Sequence, residues 1–162
     1  MDDTGYWELI ETSRDRAADP EGQARRLTEV LSQQSAVEIQ RFGEWFQRAM
    51  LTLYRWELWG VASLVHGHED QESFVAFRAW VVSRGREVFA AAVEDADSLA
   101  PHVTPKVDGS PLTYVARDAY EAATGNELPT ATLDLFAEPA GEPIPPSDLT
   151  TRFPKVAAKL AR

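Results

Sequence analysis

The chain holds five tryptophans, three histidines and no cysteine, so its chemistry must come from nitrogen, oxygen and aromatic groups. The most suggestive polar group is Arg78, Trp80, Arg84 and Arg86, with Glu87. Two arginines flanking a helix end and a glycine turn can grip a carboxylate or phosphate through paired N–H donors. Trp80 can stack on a planar ligand or on a guanidinium. A structural reading carries more weight. In it Arg78 pairs with Glu72 or another helix carboxylate, Trp80 fills a groove under the C-terminal segment, and Gly85-Arg86 is a helix joint.

The candidate metal cluster is His66-x-His68 followed by Glu69 and Asp70. Imidazoles and carboxylates suit Zn, Ni or Mn, and a loop can gather three of them. Beyond this loop only the lone His102 adds an imidazole. Most such loops are simply solvated, so no metal and no cofactor is expected. His68 and Glu69 as an acid–base pair is a weaker reading still.

Aromatic residues are numerous: tryptophan at 7, 45, 56, 59 and 80, and tyrosine at 6, 54, 114 and 120. Full burial of each contributes on the order of 2–3 kcal/mol, so most belong to the core. One or two at a groove can anchor a partner or ligand, because Trp and Arg dominate interface hot spots. Trp56 and Trp80 are the first candidates, with Trp59 beside them.

Nucleophilic catalysis has little support. Ser13, Ser63, Ser73, Ser83, Ser98 and Ser110 occur without a Gly-x-Ser-x-Gly elbow. Gly43, Gly60, Gly67 and Gly85 stand alone, so no glycine loop cradles a phosphate. Carboxylate pairs such as Asp2/Asp3 and Glu94/Asp95 are ordinary solvated faces in a chain this acidic. With 16 Lys+Arg against 26 Asp+Glu, the net charge is −10, and that sign repels nucleic-acid phosphates. No apolar run approaches the roughly 20 residues that span a bilayer. An intracellular, cytoplasmic protein is expected.

These residues must be positioned by helices. The first starts at Thr4 or Gly5 and buries Tyr6, Trp7, Ile10 and Ser13. Asp19-Pro20-Glu21 starts the second, with Asp19 as N-cap, and Ala24, Leu27, Val30 and Leu31 form its apolar face. Ser35 and Glu38 read as a capping box for the third. Phe42, Trp45, Phe46, Ala49, Met50, Leu53 and Trp56 then recur at three- and four-residue steps on one face. From Trp56 to Val65 the chain is nearly all apolar, a central helix continuous with the one before or kinked near Gly60. Helices over about 71–82 and 86–94 follow, joined at Gly85. A loop spans 95–110, and Pro111 opens a helix bearing Leu112, Val115, Ala116, Ala119, Tyr120 and Ala123 that closes at Gly125.

Beyond Gly125 lie six of the ten prolines. Leu128, Leu133, Leu135, Phe136, Ile144 and Phe153 suggest that this stretch is laid over the body, with a short helix over about 150–160 pinning its end. The expected fold is mainly α, a single compact multi-helix domain over 1–125 with an irregular Pro-rich acidic C-terminal wrap over 126–162.

Several stretches resemble a bacterial family catalogued as domain of unknown function 4240. They run from Tyr6-Trp7-Glu8-Leu9-Ile10-Glu11 to Arg152-Phe153-Pro154. The most specific are Trp56-Glu57-Leu58-Trp59-Gly60-Val61-Ala62 and Phe74-Val75-Ala76-Phe77-Arg78-Ala79-Trp80. The second continues through Arg84-Gly85-Arg86. The loop His68-Glu69-Asp70-Gln71-Glu72 departs from the family pattern, which favours small residues and an acidic pair. The resemblance implies a fold and no particular chemistry.

Acidity, tryptophan excess and the lack of a catalytic set together lead to the expectation of a non-enzymatic helical interaction module. It acts as a monomer or homodimer, and its partner is another protein, of basic character, in the manner of an immunity protein or antitoxin. The competing expectation is a small-anion-binding protein or enzyme built around Arg78, Trp80 and Arg86.

Overall fold

Four of the helix starts coincide with side chains that take up the free N–H groups of a first turn. The structure, a computed structural model, describes residues 1–68, 70–129 and 138–161. Glu69, Leu133, Leu135 and Phe136 therefore lie outside the described residues. Asp2, Asp19, Ser35 and Asp70 cap α1 (Asp3–Asp15), α2 (Pro20–Leu31), α3 (Ala36–Thr52) and α5 (Gln71–Ser83). Each accepts a hydrogen bond from the backbone N–H three residues on, at 2.7–3.2 Å. With Asp2 as cap, α1 begins ahead of the expected Thr4. The capping box at α3 is half formed, since the Glu38 carboxylate binds the Met1 amino group at 2.8 Å rather than turning back to Ser35.

The long apolar run does not form one helix. α3 stops at Thr52, Arg55 is extended, and α4 (Trp56–His66) starts afresh. The break lies here and not at Gly60 because the main chain pairs with the C-terminal segment. Ala140 N–H donates to the Tyr54 carbonyl and Trp56 N–H to the Ala140 carbonyl, both at 3.0 Å. Gly60 sits inside α4 for a different reason. A Cβ there would lie 2.9 Å from both the Leu149 and the Phe153 side chains, so the glycine admits the C-terminal segment.

α6 (Arg86–Glu94) follows α5 through Gly85, whose φ of +103° suits glycine alone at low cost. The stretch expected as loop holds a 3-10 turn over Ala96–Leu99. A second one over Ser110–Tyr114 contains Pro111, so α7 (Val115–Thr124) begins later than the sequence suggested. Tyr6, Ile10, Leu27, Phe42, Leu53, Phe74 and Phe77 are buried at the centre. Two expected core positions are not: Val30 and Ala123 are exposed, each at the edge of its helix's apolar stripe.

The C-terminal part ends in α8 (Leu149–Arg152) and α9 (Pro154–Leu160), packed on α4 and on the 3-10 turn at Ala96–Leu99. α9 has no side-chain cap of its own. The buried carboxylate of Asp97 serves instead, accepting from Val156 N–H at 2.9 Å and Lys155 N–H at 3.1 Å. The protein is a mainly α single domain.

Candidate functional site

An open-sided groove of about 1100 Å³ lies between α3, α5 and α7. Small residues set the angle of its walls. A Cβ on Gly43 of α3 would come within 3.3 Å of the Ala116 methyl on α7, so these helices meet closely at one end and diverge from there. On the other side Gly109 N–H donates to the Ala76 carbonyl at 2.9 Å, drawing the Ser110–Tyr114 turn against α5. Phe46, Met50, Tyr54, Val75, Leu112 and Leu128 make the interior apolar. On the rim, Leu51 and Tyr114 are 58% and 50% exposed.

Into this groove faces Arg78, only 8% exposed. Nη1 donates to the Met50 carbonyl at 2.9 Å. The guanidinium lies 4.6 Å from the Phe74 ring centre and 4.8 Å from that of Tyr54. Nε has no hydrogen-bond partner, and among the described residues no carboxylate reaches it. The expected Arg78–Glu72 pair is therefore not formed. Glu72 lies six positions back on α5, nearly two turns away and outside the three- or four-residue reach of a helix pair. Burial lowers the pKa of Arg78 to about 10, against a smaller opposite influence of Tyr54, so it stays cationic at neutral pH.

Above Arg78 the aromatic side chains form a stack. Trp56 lies on Trp59 at 5.5 Å and 14°, Trp59 on Phe74 at 4.8 Å and 20°, and Phe74 on Tyr54 at 5.9 Å and 29°. Trp56 and Trp59 are half-buried and belong to this stack, of which Tyr54 lines the groove and the two tryptophans do not. Trp80 is buried against Phe77 at 5.8 Å. The Gly109 backbone seats on its main chain so closely that a Cβ would fall 2.1 Å from Trp80 N. Trp80 thus packs beneath the 95–110 segment. It is no ligand-stacking face.

The remaining arginines do not join Arg78. Arg84 donates through Nη2 to Gln23 Oε1 at 3.0 Å and through Nε to Ser83 Oγ at 3.1 Å. Gln23, fully buried, donates in turn to the carbonyls of Ile10 and Ser83. Arg14 Nη1 donates to the Arg84 carbonyl at 2.8 Å. Burial, then the neighbouring Arg14 charge, lowers the Arg84 pKa. Arg86 grips a carboxylate, but that of Asp3 in its own chain. The arginine–tryptophan cluster read from the sequence is thus dispersed, because residues 78, 80, 84 and 86 point to different sides of α5 and its joint.

In the histidine loop His68 is held locally, whereas the buried Nε2 of His66 has no hydrogen-bond partner among the described residues. His68 Nδ1 lies 2.9 Å from the His66 carbonyl, and Nε2 lies 2.9 Å from both Asp70 Oδ2 and Ser73 Oγ. A proton relay needs serine and carboxylate on opposite ring nitrogens. Here they share one, and Asp70 and Ser73 also bond to each other as part of the α5 cap. Burial, then His68, lowers the His66 pKa. Among the described residues no group of three or more His, Asp or Glu side chains can hold a metal ion. Ser13, Ser63 and Ser83 donate back to carbonyls three or four residues earlier on their own helices.

The groove itself was not read from the sequence. Its one early signal is Leu51, a large apolar residue off the buried stripe of α3.

Among the described residues no helix is long and apolar enough to cross a membrane. The model of a family described as "Protein of unknown function (DUF4240)" matches residues 1–122. No curated protein and no solved structure matches the chain.

Proposed function

The chain belongs to that family of proteins of unknown function, and from this premise we propose that it is a protein-interaction module whose binding face is the α3–α5–α7 groove. The observation that carries this reading is the groove's apolar interior combined with exposed apolar rims at Leu51 and Tyr114. A site for a small molecule encloses most of its ligand. A groove whose apolar lining continues outward onto its rims suits a longer occupant that covers them. Its polar groups include a buried cation, Gln47, Gln71, the hydroxyls of Tyr54 and Thr113 and rim charges, suited to orienting a partner. The module works in the cytoplasm, and its net charge of −10 speeds encounter with a partner of opposite sign.

The test is retention of a partner from cell extract by the immobilised protein and by three variants. Leu51→Asp and Tyr114→Asp place a charge on the rim and are expected to reduce retention at least tenfold. Val37→Asp changes an equally exposed α3 residue (57%) outside the groove and should retain the partner fully. Equal retention by all three variants would remove the groove from the function.

A further inference from the structure

Arg78 makes the groove chemically selective. We propose that its occupant is an apolar segment of a partner protein bearing one carboxylate on its buried face and basic residues on its flanks. This rests on the groove being an interaction site, and it names what that site recognises.

Three features carry it. First, the Arg78 guanidinium is held at 8% exposure with Nε unpartnered and no carboxylate of the described residues in reach. A cation in such surroundings has lost most of its hydration, and although Nε itself is sealed from solvent, a carboxylate arriving through the groove meets the terminal N–H donors of the guanidinium. Second, the surroundings of Arg78 within the groove are apolar, so the residues beside that carboxylate must be apolar too. A strongly acidic occupant is disfavoured by the protein's own net charge of −10. Third, the rim charges facing the occupant's flanks are mainly negative. Glu121 and Glu127 line the groove, whereas Arg117 on the rim is paired with Asp118 at 3.0 Å and lies over the Tyr114 ring. A basic flank satisfies those glutamates. The partner is thus basic in its outer contacts and acidic at a single buried point.

The test is selection of random 16-residue peptides displayed on phage against the wild-type protein, with depletion on Leu51→Asp. Groove-dependent peptides are expected to carry one Asp or Glu within an apolar stretch and Lys or Arg outside it. Replacing that acid by its amide should weaken binding to wild type at least tenfold and leave binding to Arg78→Met unchanged. Arg78→Lys, which keeps the charge without the paired donors, should recover part of the loss. Groove-dependent peptides without an acid, or with an acid whose amide binds equally well, would overturn the occupant's chemistry while leaving the groove an interaction site. Failure to obtain any groove-dependent peptide would overturn both. Arg78-dependent uptake of decanoate with no peptide bound would assign the groove to a small carboxylate and also overturn the proposal.

Discussion

Arg78 and Arg84 stand six residues apart on one stretch of chain and are both pulled out of water, yet their surroundings differ in kind. Around Arg84 the polar groups form a network: Gln23 joins the guanidinium to two carbonyls, and Arg14 takes up the Arg84 carbonyl. Arg78 has one carbonyl, two aromatic faces and an idle Nε. Burying a polar group is tolerated when it is hydrogen-bonded and costly when it is not. The Arg84 end of α5 is a completed joint between α1, α2 and α5. The Arg78 face has no such network, and it is here that the proposed carboxylate binds.

The most damaging way to break this contrast is to move the groove wall. Gly109 rests against the α5 backbone, where a Cβ would meet Trp80 N at 2.1 Å. Backbone atoms cannot rotate aside, so Gly109→Ala is expected to cost about 3 kcal/mol of stability. It should also abolish groove-dependent binding. Urea unfolding with an unchanged m-value measures the loss. A loss below about 1 kcal/mol would mean that the wall yields freely and that the groove is not a fixed site.

Next in size is the completed joint. Gln23→Leu conserves bulk in a fully buried position and takes away the acceptor of Arg84 Nη2 and the side-chain donor to the Ser83 carbonyl, while the Ile10 carbonyl keeps Ser13 Oγ. We expect a loss of about 2–3 kcal/mol, with groove binding intact. If binding fell in parallel with stability, the two ends of α5 would not be independent.

What was legible in the sequence follows the same division. Caps act locally, so Asp19 before Pro20, Ser35 and the Gly85 joint could be read directly. The α3–α4 break could not, because the force that stops α3 is a main-chain pairing with Ala140, far along the chain. The site was legible in one residue. Arg78 was singled out for its type and its neighbours in sequence. Trp80, Arg84 and Arg86 share those neighbours but not a direction, and helical phase separates them. The groove walls come from Gly43, Gly109 and Leu51, whose roles depend on which helices meet.

A third buried charge sharpens the contrast from outside α5. Asp97 is slightly more hidden than Arg78 but fully used, capping α9 from another element. Asp97→Ala is expected to cost about 1–2 kcal/mol, the usual worth of an N-cap. Hydrogen exchange should show the loss concentrated at Lys155 and Val156. Protection lost equally across α1 and α5 would show that α9 is not a separately tethered element.

The smallest effect is the most informative. Replacing an incompletely paired buried charge by an apolar side chain of similar length is often neutral or stabilising. Arg78→Met keeps contact with the Phe74 and Tyr54 rings, gives up the hydrogen bond to Met50 and removes the desolvated charge. These effects oppose one another, so stability should change by less than about 1 kcal/mol in either direction. Arg84→Met removes donors from a satisfied network and should cost about 1–2 kcal/mol more than Arg78→Met. Equal losses at the two positions would make Arg78 a structural arginine like Arg84. A near-neutral Arg78→Met that no longer distinguishes an acidic peptide from its amide would instead mean that this guanidinium contributes to recognition and little to the fold.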